Sequence, residues 1–189
     1  FTSNRETPGK NDWYGIRLVQ GSPATVIDHC DIQWARYGIH LHEASAQITN
    51  NLISNHLDSG IFGTPSSAQI TVQGNEIWSC GNGSAGYGIY LSDSSSLVNI
   101  LDNITHDNID GMYVGNGTFV RMENNSSYLN SGTGITVCGW GPISDHYFVN
   151  NEAYLNAGNG ILIWGGQVTI QDSQSHDNSG MGIELYYAL

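Results

Sequence analysis

The chain has 189 residues, with 17 acidic against 5 basic side chains and a formal charge of -12, a balance that argues against nucleic acid or anionic lipid as a partner. No apolar run is long enough for a membrane span, and three cysteines, Cys30, Cys80 and Cys138, cannot all pair within one chain, so no disulfide framework holds the fold. Charged residues are only 12% of the total, so solubility rests on Asn, Ser, Thr and Gln, a balance that fits an extracellular or cell-surface β-protein, with the periplasm as the alternative. The chain opens at Phe1 without an initiator Met or signal peptide, which reads as a mature, excised or partial product.

Taken in chain order, the strongest signal is a Gly-apolar-x-apolar element that recurs eight times. It stands at Gly15-Ile16-Arg17-Leu18, Gly38-Ile39-His40-Leu41, Gly60-Ile61-Phe62-Gly63, Gly88-Ile89-Tyr90-Leu91, Gly111-Met112-Tyr113-Val114, Gly134-Ile135-Thr136-Val137, Gly160-Ile161-Leu162-Ile163 and Gly182-Ile183-Glu184-Leu185. Successive glycines are 22 or 23 residues apart, except for two intervals of 28 and 26 that mark insertions. Between the elements a second apolar column lines up as Val26, Ile48, Val72, Ile100, Met122, Phe148 and Ile170. Two residues before each stand Ala24, Ala46, Ile70, Val98, Val120, His146 and Val168, the alternation of a strand with one buried face, broken only by His146.

Three residues after the second column come His29, Asn51, Asn75, Asn103, Asn125, Asn151 and Ser173. Asparagines stacked at a tight turn hydrogen-bond to the backbone and to one another and tolerate a left-handed backbone, so these predict an internal Asn ladder. A second, weaker ladder is expected at His56, Cys80, Asn108, Asn130, Asn156 and Asn178. Independent columns in one register predict an all-β, single-stranded right-handed parallel β-helix of about eight coils, forming one domain over residues 1–189. Leucine-rich repeats share the period but need a Leu-x-x-Leu-x-Leu pattern that the chain lacks.

On these columns the chain resembles the right-handed parallel β-helix repeat superfamily, which includes pectate-lyase-like carbohydrate-active enzymes, NosD-like periplasmic proteins and many surface proteins. Phe1-Thr2-Ser3-Asn4 and Asp12-Trp13-Tyr14-Gly15-Ile16 also resemble a segment found within larger bacterial and archaeal β-helix surface proteins. The resemblance specifies architecture and leaves the chemistry open.

No catalytic set is expected. The nearest approach is His106, Asp107 and Asp110; Asn108-Ile109-Asp110-Gly111 resembles the Asn-Thr-Asp signature of polygalacturonase-like hydrolases, but their Asp-Asp pair, Gly-His-Gly and Arg-x-Lys are missing. Lyase and epimerase chemistry is opposed by the single Lys10, by the absence of an Asp-Pro-His motif and by the acidic charge. His106 and the repeat-equivalent His176 lie three rungs apart, about 14 Å, too far to share a zinc ion. His40 and His42 project to one side of a strand and are the better metal candidates, for copper or zinc, though exposed strand-end histidines need no metal. No cofactor is expected; calcium, as in uronate-processing relatives, and copper are the metals this class would bring.

Of the N-x-Ser/Thr sequons at Asn82, Asn103, Asn116, Asn124 and Asn125, only Asn82 and Asn116 are expected as glycan acceptors. Two outward aromatic columns are the candidate binding surfaces: Phe62, Tyr90 and Tyr113 beside His40, and Trp78, Tyr128 and Tyr154 in line with His106 and His176. They suit ladder packing, a protein contact or a sugar platform. The termini show no cap: Phe1-Thr2-Ser3 reads as part of a preceding coil, and Glu184-Leu185-Tyr186-Tyr187-Ala188-Leu189 reads as an apolar strand. The chain is therefore expected to be a piece of a longer solenoid or an end-to-end stacking subunit. The leading expectation is a non-catalytic extracellular building block of a surface layer, fibre or tubular filament that associates end to end or side to side. A carbohydrate-active β-helix with a polysaccharide partner is the alternative.

Overall fold

The structure, a computed structural model, describes residues 1–64, 69–83, 85–92, 97–116, 119–139 and 145–186. Its strands form three parallel sheets of eight, seven and seven strands, each strand pairing with its counterpart one coil away. The first sheet carries the Gly-apolar-x-apolar elements, from Ile16–Val19 to Ile183–Tyr186. The second runs from Val26–Asp28 to Gln167–Gln171, and the third, of three-residue strands, from Asp31–Gln33 to Gln174–His176. Among the described residues no helix is long and apolar enough to cross a membrane.

Alternation fills the interior. The first sheet turns Ile39 and Leu41, Ile89 and Leu91, and Ile135 and Val137 inward, and the second turns Ile70 and Val72, and Val98 and Ile100 to meet them. Each such side chain contributes about 1.5–3 kcal/mol on burial, and because every coil adds the same set, stability accumulates rung by rung. The third sheet offers one inward residue per strand, and this column changes character from Ile32, Ile53 and Ile77 to Thr105, Ser127, Ala153 and Ser175. Thr105 and Ser127 share a hydroxyl hydrogen bond of 3.0 Å, and Ser127 Oγ donates to the Gly134 carbonyl at 2.8 Å.

That close approach explains the recurring glycines from Gly38 to Gly160. A Cβ on Gly111 would run into Ser127 Oγ and the Gly134 carbonyl, and one on Gly88 would lie 2.7 Å from Thr105 Cγ2. Neither glycine has a positive φ, so proximity of backbone to the third sheet, not turn geometry, demands them.

The inner ladder forms from Asn51 through Asn75, Asn103, Asn125 and Asn151, each Oδ1 accepting the backbone N–H of the ladder residue one coil earlier at 2.9–3.1 Å. The second ladder, expected to be weaker, bonds just as closely through Asn108, Asn130, Asn156 and Asn178 at 3.0–3.1 Å. Two expectations are corrected here. The first-coil register is one residue later: Ile27 pairs with Ile48, so Cys30, not His29, holds the ladder position and donates its N–H to Asn51. The left-handed backbone belongs to the residue before each ladder position, as at His29, Asn50, Asp102, Asn124 and Asn150, and the ladder asparagines themselves have ordinary φ.

At the start, Phe1 pairs with the first strand of the third sheet, its carbonyl accepting the Gln33 N–H at 2.9 Å, while Trp13 bridges to Ala35 and packs on the core. Residues 1–15 thus supply part of a coil above the first full one, as the opening residues suggested. At the other end Met181, Ile183, Leu185 and Tyr186 are exposed. Tyr187, Ala188 and Leu189 of the expected apolar terminal strand lie outside the described residues.

Candidate functional site

Both outward aromatic columns are ladders of stacked rings. Trp78, His106, Tyr128, Tyr154 and His176 follow one another at centroid distances of 4.9–5.9 Å with interplanar angles of 2–18°. On the first sheet Phe62, Tyr90 and Tyr113 stack at 5.0–5.2 Å and 6–9°. Parallel in-register pairing fixes this: residues at the same point in successive coils are direct neighbours, and flat side chains fit the rung spacing face to face. Rings within a stack are therefore covered on both faces and meet solvent at their edges, while the end rings Trp78 and His176 have a stacked ring on one face.

The first-sheet ladder is broader than the sequence columns showed. Tyr14, Tyr37 and Tyr87, from the column just before the glycines, pack beside it, with Tyr37 4.9 Å from Phe62 and Tyr87 4.9 Å from Tyr90. His40 is buried beneath this cluster, its Nδ1 paired with the Tyr14 hydroxyl at 2.7 Å, and burial lowers its pKa. It is not the exposed strand-end histidine that its position suggested. His42 sits edge-on to it with ring centroids 6.2 Å apart. Among the described residues no three His, Cys, Asp or Glu side chains gather as ligands for a metal ion.

Each histidine in the third-sheet ladder is clamped by two carboxylates. His106 meets Asp107 at 2.7 Å through Nδ1 and Glu76 of the preceding coil at 3.3 Å through Nε2. His176 repeats the arrangement with Asp177 at 2.9 Å and Glu152 at 3.2 Å, and these two carboxylates raise its pKa, Asp177 more than Glu152. The glutamates could have been found in the sequence, because each stands two residues before the ring that stacks on its histidine.

Asp110 begins a first-sheet strand instead of joining His106 and Asp107 on the third-sheet side. Its Oδ1 accepts the Thr133 N–H at 2.7 Å, and partial burial raises its pKa. Cys80 is buried on the second ladder, donating to the Trp78 carbonyl at 3.4 Å, and burial pushes its pKa up to about 12, which makes it an inert thiol. Asn82 and Asn116 are exposed, while Asn103 and Asn125 are buried in the ladder and Asn124 lies at the surface turn beside it.

A groove of about 630 Å³ runs along the corner between the third and first sheets. Asp107, Leu129, Leu155 and Asp177 form one wall in successive coils, Ser131, Ala157 and Ser179 the other, and Lys10 closes the head by donating to the Gly81 carbonyl at 2.8 Å. The first wall is the left-handed turn column, with φ of 53° at Leu129 and 55° at Leu155. Elsewhere the column holds Trp34, Asn55, Ser79, Asp107 and Asp177, mostly residues that tolerate this backbone. The leucines remain 49% and 48% exposed, so burial recovers only part of the strain. Leu129→Asn should leave the folded state within about 1 kcal/mol of wild type, because relief of the left-handed penalty offsets the half-buried apolar contact that is lost. A denaturant midpoint lowered like that of a core Leu→Ala variant, by about 2–5 kcal/mol, would show that the leucine serves the fold.

No curated protein matches the chain. The family profile described as a right handed beta helix region matches residues 9–151, from the first-coil turn to the fifth asparagine of the inner ladder. With three parallel sheets and two internal ladders in that same span, the chain belongs to the right-handed β-helix family.

Proposed function

We propose that the chain is a non-catalytic structural β-helix of the cell exterior, a building block whose coils continue through contact with further copies into a layer, fibre or tube. The observation that carries this reading is the uniform stack: every coil repeats the same strands and inward apolar positions, and successive coils pair through parallel strand edges. Parallel strand edges next to apolar side chains are a template for another rung. The covered ring faces support the same reading over a carbohydrate-active one, since a sugar stacks on an open aromatic face.

Sedimentation across a protein and salt series tests it. Association should strengthen as salt screens the charge of -12, because apolar burial and backbone pairing are little screened. Leu185→Lys should abolish it. A wild-type chain that stays monomeric at high concentration in high salt would overturn the reading.

A further inference from the structure

The corner groove presents a pattern with a defined spacing. Asp107 and Asp177 stand three rungs apart, about 14 Å, with Leu129 and Leu155 on the two rungs between them. Four residues of an extended chain span about 13–14 Å, and residues i, i+2 and i+4 of such a chain point the same way. His106 and His176 engage one oxygen of each aspartate, and Lys10 at the head is the cation among the lining residues.

We infer that this groove binds an extended peptide segment lying along the solenoid axis, with basic residues at i and i+4 opposite Asp107 and Asp177 and an apolar residue at i+2 on Leu129 and Leu155. Charge complementarity selects the occupant. A polysaccharide of uronates would meet the carboxylates with like charge, and a neutral apolar ligand would make no use of the two aspartates. Leucines held at a left-handed turn and half exposed contribute little to the fold, and the apolar i+2 side chain gives them a partner. The groove reaches the last strand of the third sheet, so the peptide is titrated at chain concentrations below any self-association.

The test uses a labelled peptide, Lys-Ser-Leu-Ser-Lys flanked by Gly-Ser, titrated with the full chain by fluorescence anisotropy. A register-shifted control, Lys-Ser-Leu-Lys-Ser, keeps composition and charge but moves the second cation to i+3. The expected result is saturable binding that weakens at least tenfold for the shifted peptide, for Asp107→Asn with Asp177→Asn, and for Leu129→Asn with Leu155→Asn, while the melting curves of the variants still show a folded chain. Equal binding of the two peptides would reveal attraction by charge alone and overturn the proposal, as would full affinity in the leucine variant. No binding at millimolar peptide also overturns it. So does a dimer that dissolves in the leucine variant while the peptide fails to bind, which would give the groove to a second copy.

Discussion

Replacing Asn103 by alanine is expected to cost about 3–5 kcal/mol of folding stability, because several buried polar groups lose a partner at about 1–3 kcal/mol each and the losses overlap. The Asn103 Oδ1 accepts both the backbone N–H and the side-chain Nδ2 of Asn75 at 3.0 Å, and its own Nδ2 donates to the Val72 carbonyl at 2.8 Å and to Asn125 at 3.1 Å. An alanine methyl satisfies none of these, and the site lies too deep for bulk water to take over. Asn125→Ala removes the same set one coil later and should behave alike. Asn116, exposed at a left-handed turn with φ of 57°, is the control, and its alanine variant should cost less, on the order of 1 kcal/mol for the left-handed backbone. Guanidinium melts of the three variants decide it: equal midpoints would mean that the ladder bonds contribute nothing beyond an ordinary surface turn.

A fall in stability between neutral and mildly acidic pH is the second large effect. His56 stands in the second ladder fully out of solvent, its Nδ1 accepting the Ala35 N–H at 3.1 Å and its Nε2 donating to the Ile32 carbonyl at 3.1 Å. The bond to Ala35 requires the neutral ring, since a protonated Nδ1 cannot accept, and burial pushes its pKa down to about 4. The unfolded chain takes up this proton near pH 6.5, so between about 6.5 and 4 the unfolded state binds more protons and the fold loses about 3 kcal/mol. The contribution is fully present above pH 6.5 and largely gone at 4. His146 adds to the loss with the same sign: it occupies an inward position between Val120 and Val168, neither ring nitrogen has a hydrogen-bond partner among the described residues, and burial lowers its pKa. His56→Asn places the commonest ladder residue at that position without a titrating group. Denaturant midpoints at pH 7 and 4.5 should differ markedly less in this variant than in wild type, and an unchanged pH dependence would remove His56 as the cause.

Much of this architecture was legible because a solenoid repeats one environment. Asn51, Asn75, Asn103, Asn125 and Asn151 meet the same turn in successive coils, so the constraint on one is the constraint on all, and the column shows in the sequence without knowledge of the contacts. The apolar alternation of Ile70 and Val72, or Val98 and Ile100, is legible for the same reason: a strand with one buried face imposes a period of two wherever it lies. His29 shows the limit. Its coil has a turn of different length, so counting back from Ile48 lands one residue early, and only the pairing of Ile27 with Ile48 puts Cys30 in the ladder.

The sequence by itself determined the coil period, the inward columns, the two ladders and the two aromatic stripes, since each depends on a residue's place within its own turn. The tertiary structure alone decided how neighbouring coils meet at offset positions. Glu76 reaches His106 from the coil before, Tyr14 covers His40 from a neighbouring column, and Asp107, Leu129, Leu155 and Asp177 line one wall of a groove that no single coil contains. It also decided that the aromatic faces are shut against one another. Those relations join residues at different points of adjacent coils, so side chains distant in sequence become neighbours only once the stack is built.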